Sequence, residues 1–81
     1  MTIRVVAFAR IREVVGAGSF ERVAPDGATA GDVLAALTAE FPQLGDLARS
    51  VRFVRGGAFV DAATFVRDGD ELGLLPPDGG G

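Results

Sequence analysis

Apolar residues recur at helical spacing between positions 30 and 41, and this is the strongest hydrophobic pattern in the chain. They follow one another at i, i+3, i+4, i+7 and i+11, which is typical of a helix with one buried face. The residues concerned are Ala30, Val33, Leu34, Leu37 and Phe41. Thr29 occupies the expected N-cap position, Asp32 completes a capping-box pattern, and Pro42 ends the pattern. These signals predict a helix over residues 29–41.

Shorter apolar segments on both sides of this helix predict strands and two short helices. Residues 2–9 predict a first strand, and the half-polar segment 19–24 predicts an edge strand. Beyond the helix, strands are predicted over residues 52–55, 58–60 and 71–75. Short helices are predicted over residues 10–15, where Gly16 ends the helix, and over residues 44–50.

Glycines mark the turns that connect the later strands. Gly56-Gly57 predicts a two-residue hairpin turn, and Asp68-Gly69-Asp70 predicts a tight turn in which Gly69 takes a positive φ. Asp68, Asp70 and Glu71 form the densest acidic cluster, but they offer too few oxygen ligands for calcium or magnesium. A solvated turn is therefore predicted there, and no metal site.

The order of these elements indicates the fold class. A strand, a short helix, a strand, a helix, a short helix and three strands within 81 residues predict an α+β roll. The long helix packs across one face of a mixed sheet, and the apolar first and last strands lie centrally. Val6 and Phe8 also place apolar side chains on the second face of the first strand. This surplus indicates either burial against a loop or a surface for a partner.

The composition excludes several kinds of chemistry. The chain has no Cys, no His and no Lys, and its eight basic residues are all Arg. Disulfides, thiolate metal sites, histidine general bases and lysine Schiff bases are therefore excluded. The net charge of −3 argues against nucleic acid as a partner. No apolar stretch approaches the length of a membrane span, so we expect a soluble cytoplasmic protein without membrane association.

The last six residues, Pro76-Pro77-Asp78-Gly79-Gly80-Gly81, differ from the rest of the chain. We predict a folded domain over residues 1–75 and a flexible tail over residues 76–81. Pro-Pro favours an extended spacer, and the tail reaches about 20 Å at about 3.3–3.6 Å per residue. Glycines have no β-carbon to clash with the walls of a narrow channel. The tail is either an inert end or the working part, with the Gly81 carboxylate reacting after ATP-dependent adenylation.

Two segments resemble a known family along the whole chain. Residues 8–16, FARIREVVG, are close to an FAxxRExxG opening, and DGDEL at residues 68–72 leads into Pro76-Pro77 and Gly80-Gly81, close to a DGDEV…PPxxGG ending. The chain therefore resembles the MoaD-like small subunits of molybdopterin synthase, which are sulfur carriers. These belong to the MoaD/ThiS group of the ubiquitin-like β-grasp superfamily, so the resemblance implies a sheet of about five strands.

The resemblance also implies a chemical role. A MoeB-type adenylyltransferase would use ATP to adenylate Gly81, and the carboxylate would become a thiocarboxylate. The tail residues Pro76, Pro77, Asp78, Gly79 and Gly80 would then enter the large synthase subunit, where sulfur passes to cyclic pyranopterin monophosphate. The catalytic pocket would lie on the large subunit, in a heterotetramer, and this chain would be no enzyme and bind no cofactor. The implied interface residues are Phe8, Phe59 and Leu75.

The chain departs from the family pattern at two places, and other roles stay open. Gly56-Gly57 replaces a hairpin that often carries Asn, and Asp78-Gly79 replaces residues that are commonly Val, Ala, Ser or Thr. Sulfur carriers for thiamin thiazole or cysteine synthesis share the Gly-Gly end. A ubiquitin-like modifier that forms an amide with lysine, or a binding module with an inert tail, are further alternatives.

Overall fold

The computed structural model describes residues 1–77, which form a five-stranded mixed sheet with two α-helices and two 3₁₀ helices. The strands are β1 (Thr2–Ala7), β2 (Ser19–Val23), β3 (Arg52–Arg55), β4 (Ala58–Val60) and β5 (Glu71–Leu75). The α-helices are α1 (Ala9–Val15) and α2 (Ala30–Glu40), and the 3₁₀ helices cover Pro42–Asp46 and Ala48–Ser50. Within residues 1–77, neither α-helix has the length and apolar character needed to cross a membrane.

The first and last strands form the middle of the sheet, as predicted. The strand order is β2-β1-β5-β3-β4, with β1 parallel to β5 and every other neighbouring pair antiparallel. The short, half-polar β2 is an edge strand, also as predicted. Because β1 and β5 are parallel, their C-terminal ends lie at the same end of the sheet, beside the start of β3.

One face of the sheet packs against α2 and the 3₁₀ segment to form the core. Val5, Leu72 and Leu74 supply the sheet side of this core and are fully buried. Four of the five predicted apolar positions are confirmed as the buried face of α2, namely Ala30, Val33, Leu34 and Leu37. The fifth, Phe41, is the C-cap of the helix and is half-buried. Leu44 from the first 3₁₀ helix is also fully buried, so the segment after α2 closes the core.

The N-terminus of α2 has the predicted capping box. Asp32 N donates to Thr29 Oγ1 at 3.1 Å, and Thr29 N donates to Asp32 Oδ2 at 2.9 Å. Each bond satisfies a backbone N–H that the helix itself leaves without a partner. The capping segment also holds the segment before β5. Thr29 forms an isolated antiparallel β-bridge with Phe65, and Val66 N donates to Ala28 O at 3.0 Å.

Two predicted boundaries are wrong by two residues, for local reasons. The first strand ends at Ala7 rather than residue 9, because Phe8 is the N-cap of α1 and Ala9 turns the chain with a φ of 49°. The predicted helix over residues 44–50 is two 3₁₀ helices that begin earlier, at Pro42. Gly45 lies inside that segment, and glycine weakens a continuous α-helix.

The predicted glycine turns are confirmed. Gly56 and Gly57 have φ values of 59° and 80°, which fits a type I′ hairpin turn with two left-handed residues. Gly69 has a φ of 84° in the turn before β5, and Gly16 ends α1 with a φ of 86°. These turns set the register in which β3, β4 and β5 align their side chains on the second face of the sheet.

Candidate docking face

The sheet surface opposite α2 carries a row of apolar residues that crosses four strands. Val6 pairs with Gly73, Gly73 pairs with Val54, and Val54 pairs with Phe59. Cross-strand partners share a face, so the row runs from β1 through β5 and β3 to β4. Leu75 lies two residues beyond Gly73 and therefore faces the same way. We call Val6, Phe8, Val54, Phe59, Gly73 and Leu75 the open face.

The aromatic residues of the open face are exposed. Phe8 retains 45% of its accessible surface and Phe59 retains 58%, whereas Val6, Val54 and Leu75 are half-buried. No helix of residues 1–77 packs on this side, because the buried residues of α2 face the opposite surface of the sheet. Contiguous exposed apolar surface on a small domain marks an interaction site more often than isolated apolar residues do.

Gly73 allows Phe8 to lie across the sheet. A β-carbon at residue 73 would lie 3.4 Å from Phe8 Cε2 and 3.4 Å from Val54 Cβ. The phenylalanine ring therefore covers the place where the row has no side chain. Phe8 N also donates to Leu74 O at 3.2 Å, which holds the backbone of Phe8 beside the end of β5. Phe8, Gly73 and Leu75 line a shallow cleft on this side of the sheet.

Charged residues border this apolar surface. Arg4 donates to Ser19 Oγ at 2.9 Å and to Glu21 Oε2 at 3.1 Å, so its charge is neutralised within the sheet. The guanidinium of Arg52 lies over the Phe59 ring, with Cζ 4.0 Å from the ring centroid. Glu71 lines the cleft at the end far from Leu75. The open face is therefore an apolar strip with charges at its borders.

The three predicted interface residues share this face, whereas most of the predicted tail lies beyond the described chain. The structure places Phe8, Phe59 and Leu75 on the open face. Pro76 is buried and Pro77 is half-buried, so the chain continues to pack for two residues after β5. The other predicted site residues, Asp78, Gly79, Gly80 and Gly81, lie outside residues 1–77.

The acidic cluster before β5 serves the turn. Thr2 N donates to Asp68 Oδ1 and Arg67 N donates to Asp70 Oδ2, each at 2.8 Å. Asp70 also lies 3.7 Å from the guanidinium of Arg55. Within the described part of the chain, no three acidic residues are grouped as metal ligands. The carboxylates are engaged in fixing the start of the central strand.

Sequence reasoning did not identify Val54, Gly73 and Arg52 as parts of this face. The sequence contains one signal for Val54 and one for Gly73. Phe53 and Val54 are consecutive apolar residues in one strand, which indicates burial on one face and apolar surface on the other. A glycine inside an apolar strand marks close approach by another group, which here is the Phe8 ring. The position of Arg52 over Phe59 depends on the register of the β3–β4 hairpin.

Comparison with known sequences gives consistent results along the whole chain. The sequence profile of the ThiS family matches residues 5–81. The molybdopterin synthase sulfur carrier subunit of Chlamydomonas reinhardtii is 34% identical, with 100% of both chains covered. Small archaeal modifier protein 3 of Haloferax volcanii is 36% identical, also with 100% of both chains covered.

Solved structures have the same fold. A putative molybdopterin converting factor subunit 1 from Pyrococcus furiosus superposes with a TM-score of 0.83 at 25% identity, covering 95% of this chain and 98% of that one. A complex of subunits 1 and 2 of the molybdopterin-converting factor from Helicobacter pylori contains a chain with a TM-score of 0.69 at 26% identity, with both chains fully covered. A ubiquitin from Caldiarchaeum subterraneum gives 0.65 at 23% identity over 100% and 98% of the chains, which shows a shared ubiquitin-like fold.

Proposed function

The chain belongs to the ThiS family, and we propose that it is a sulfur carrier that supplies sulfur for molybdopterin. The reacting group is the carboxylate of Gly81, which is converted to a thiocarboxylate. Sulfur then passes from this group to cyclic pyranopterin monophosphate. The open face docks on the large subunit of the synthase, and residues 76–81 enter that subunit's catalytic pocket.

The observation that carries this proposal is the position of the open face relative to the end of β5. The apolar row crosses β5 at Gly73, and Leu75 continues the same surface up to Pro76. A partner that covers the open face therefore covers the point where the last residues leave the sheet. Pro76 is buried, so the chain stays packed for one residue beyond β5.

The chemistry requires partners because the chain lacks the groups to perform it. A carboxylate is a poor electrophile until one of its oxygens becomes a leaving group. Attack of the Gly81 carboxylate on the α-phosphate of ATP releases pyrophosphate and forms an acyl adenylate. Hydrosulfide from the sulfur donor then attacks the acyl carbon, the bond to AMP breaks, and AMP leaves together with a proton, so that the thiocarboxylate remains. With no His, Cys or Lys, this chain offers neither a thiol nor an imidazole, so we assign the activation and the supply of sulfur to an adenylyltransferase and a sulfur donor.

The large subunit is the proposed acceptor of the tail. Support comes from the Helicobacter pylori complex of subunits 1 and 2, which contains a chain of this fold, and from the relative named as a molybdopterin synthase sulfur carrier subunit. The pterin pocket lies on that large subunit. In this arrangement the present chain is a protein cosubstrate, and its fold provides docking, reach and orientation.

Reconstitution tests the proposal. The protein is incubated with the adenylyltransferase, ATP, a sulfur donor, the large subunit and cyclic pyranopterin monophosphate, and molybdopterin is measured as its fluorescent oxidation product. We expect product with the full chain and none after deletion of Gly81 or addition of one residue beyond it. Both variants should keep the circular dichroism spectrum of the full chain. Molybdopterin formation by the deletion variant would refute the assignment of Gly81.

Protein modification is a second candidate function. It is favoured by the 36% identity to a protein named small archaeal modifier protein 3. The same acyl adenylate would then lead to an amide with a lysine on another protein. Isolation of tagged chain from cells distinguishes the two roles, because a modifier appears as covalent conjugates with a Gly81–lysine bond. A carrier appears as free chain bound to the large subunit, and conjugates without that complex would favour modification.

A further inference from the structure

Arg52 lies on the same side of the sheet as the open face and borders it where β5 ends. It is the cross-strand partner of Leu75, and its guanidinium covers the Phe59 ring with Cζ 4.0 Å from the centroid. A cation held over an aromatic ring is attracted by the ring's quadrupole. The charge of Arg52 is therefore positioned between two apolar residues of the docking surface.

Arg52 and Arg4 lie on the same side of the sheet, but they differ in their charged partners. Arg4 has Glu21 and Ser19 as partners. Among residues 1–77, no carboxylate lies within ion-pair distance of the Arg52 guanidinium. The arginine side chains that donate hydrogen bonds within these residues are Arg4, Arg22 and Arg55. Its donors are therefore oriented by Phe59 and open to a group outside the described chain.

Docking changes the surroundings of this charge. A partner that covers Phe59 and Leu75 also covers the guanidinium between them, and a guanidinium stays protonated when it is buried. Burial of an unpaired charge is strongly unfavourable, so the covering surface must supply an acceptor. A carboxylate matches the planar fork of arginine and can accept two parallel hydrogen bonds.

We infer that the partner that covers the open face presents an Asp or Glu carboxylate to Arg52, and that this ion pair selects the partner and fixes its register. This inference rests on the proposed function, since it assigns the chemistry of the surface that receives the open face. Stacking on Phe59 favours arginine over lysine, because only the planar guanidinium can cover the ring and at the same time donate two parallel hydrogen bonds to a carboxylate.

Binding measurements with charge variants test this inference. The full chain and the variants Arg52→Ala, Arg52→Lys and Arg52→Glu are titrated calorimetrically into the purified large subunit. Arg67→Glu is the matched control, because Arg67 is exposed in the turn before β5 and off the open face. We expect affinity to fall about tenfold or more for Arg52→Ala and further for Arg52→Glu, as for truncated buried charge pairs. The affinity of Arg52→Lys should lie between those of the unchanged chain and Arg52→Ala. The affinity of Arg67→Glu should stay within about twofold of that of the unchanged chain.

A charge exchange and one further variant identify the carboxylate. Reversal of the facing acid on the large subunit to Arg should restore binding of Arg52→Glu and weaken binding of the unchanged chain. The competing acceptor within this chain is Asp78, three residues after Leu75. If Asp78→Asn alone reproduced the loss seen with Arg52→Ala, and the double variant lost no more, the carboxylate would be the chain's own and the inference would be wrong.

Two results separate this inference from the proposed function. If the unchanged chain binds the large subunit and Arg52→Glu binds equally well, the inference fails while the docking proposal stands. If the unchanged chain does not bind at all, the docking proposal fails and the inference falls with it. Urea midpoints measured for every variant show whether the substitutions leave the fold intact.

Discussion

The Phe8 ring lies against Gly73, 65 residues further along the chain, and leaves 3.4 Å between its Cε2 atom and the place of a β-carbon on residue 73. The contact joins the end of β1 to the middle of β5. It holds the ring along the open face, where 45% of the accessible surface of Phe8 stays exposed. The shape of the proposed docking surface therefore depends on a glycine that has an ordinary strand backbone.

Substitution of Gly73 tests this relationship. Gly73→Ala places a methyl group in contact with Phe8 and Val54 at ordinary packing distance, so we expect the free energy of unfolding to change by less than about 1 kcal/mol. Gly73→Val adds two further carbons that must displace the ring, and we expect a loss of about 1–3 kcal/mol together with weaker large-subunit binding. Urea denaturation and calorimetric titration measure the two effects. If Gly73→Ala and Gly73→Val had the same free energy of unfolding and the same affinity for the large subunit, the close packing of Phe8 on residue 73 would be contradicted.

Adjacent leucines on β5 should respond in opposite ways to truncation. Leu74 is fully buried beneath α2, whereas Leu75 is half-buried on the open face. We expect Leu74→Ala to lower the free energy of unfolding by about 2–5 kcal/mol. Leu75→Ala should lower the free energy of unfolding by only about 1 kcal/mol. Its main effect should be weaker binding to the large subunit. Denaturation curves and binding titrations on both variants measure this, and a larger stability loss for Leu75→Ala would show that the two faces are assigned the wrong way round.

Two exposed phenylalanines provide a matched test of the docking face. Phe59 and Phe65 retain 58% and 64% of their accessible surface, but only Phe59 lies on the open face. We expect Phe59→Ser to weaken binding to the large subunit by about tenfold or more, as for an aromatic residue that an interface buries. Phe65→Ser should leave affinity within about twofold. If Phe65→Ser weakened binding as much, the partner would cover a different surface.

Two threonines of α2 test the capping box. Thr29→Ala removes the acceptor for Asp32 N, so we expect the free energy of unfolding to fall by about 1 kcal/mol. Thr38 provides the control, because it is a threonine inside the helix. Its hydroxyl donates to Leu34 O at 2.8 Å. Thr38→Ala should change stability by less than about 0.5 kcal/mol, because alanine is the better helix former. Thermal or urea unfolding measures the difference, and similar losses in both variants would argue against a specific cap.

Local signals were sufficient to predict much of the fold. The helix over residues 29–41 and its cap depend on residues a few positions apart, and the glycine turns depend on two or three residues. The segment 44–50 was harder, because Leu44 and Leu47 are three residues apart. That spacing suits a 3₁₀ helix as well as an α-helix, and the bonds from Leu47 N to Leu44 O and from Ser50 N to Leu47 O are of the 3₁₀ type.

The candidate site was predictable only in part, because it is assembled from distant segments. The apolar surplus at Val6 and Phe8 was visible in the sequence, and the family resemblance added Phe59 and Leu75. The contact between Phe8 and Gly73 and the stacking of Arg52 on Phe59 depend on strand register and on the turn at Ala9. Such relationships arise from tertiary packing. The strand glycine indicates that some group approaches residue 73 closely, but the sequence does not indicate that this group is Phe8.

The most direct test of the proposed carrier role is the mass of the chain after activation. Intact-protein and peptide mass spectrometry follow incubation with the adenylyltransferase, ATP and a sulfur donor. We predict that one oxygen is replaced by one sulfur and that fragmentation places the change on Gly81, with no change when ATP is omitted. An unaltered mass in the complete reaction, or sulfur on any residue other than Gly81, would contradict the proposal.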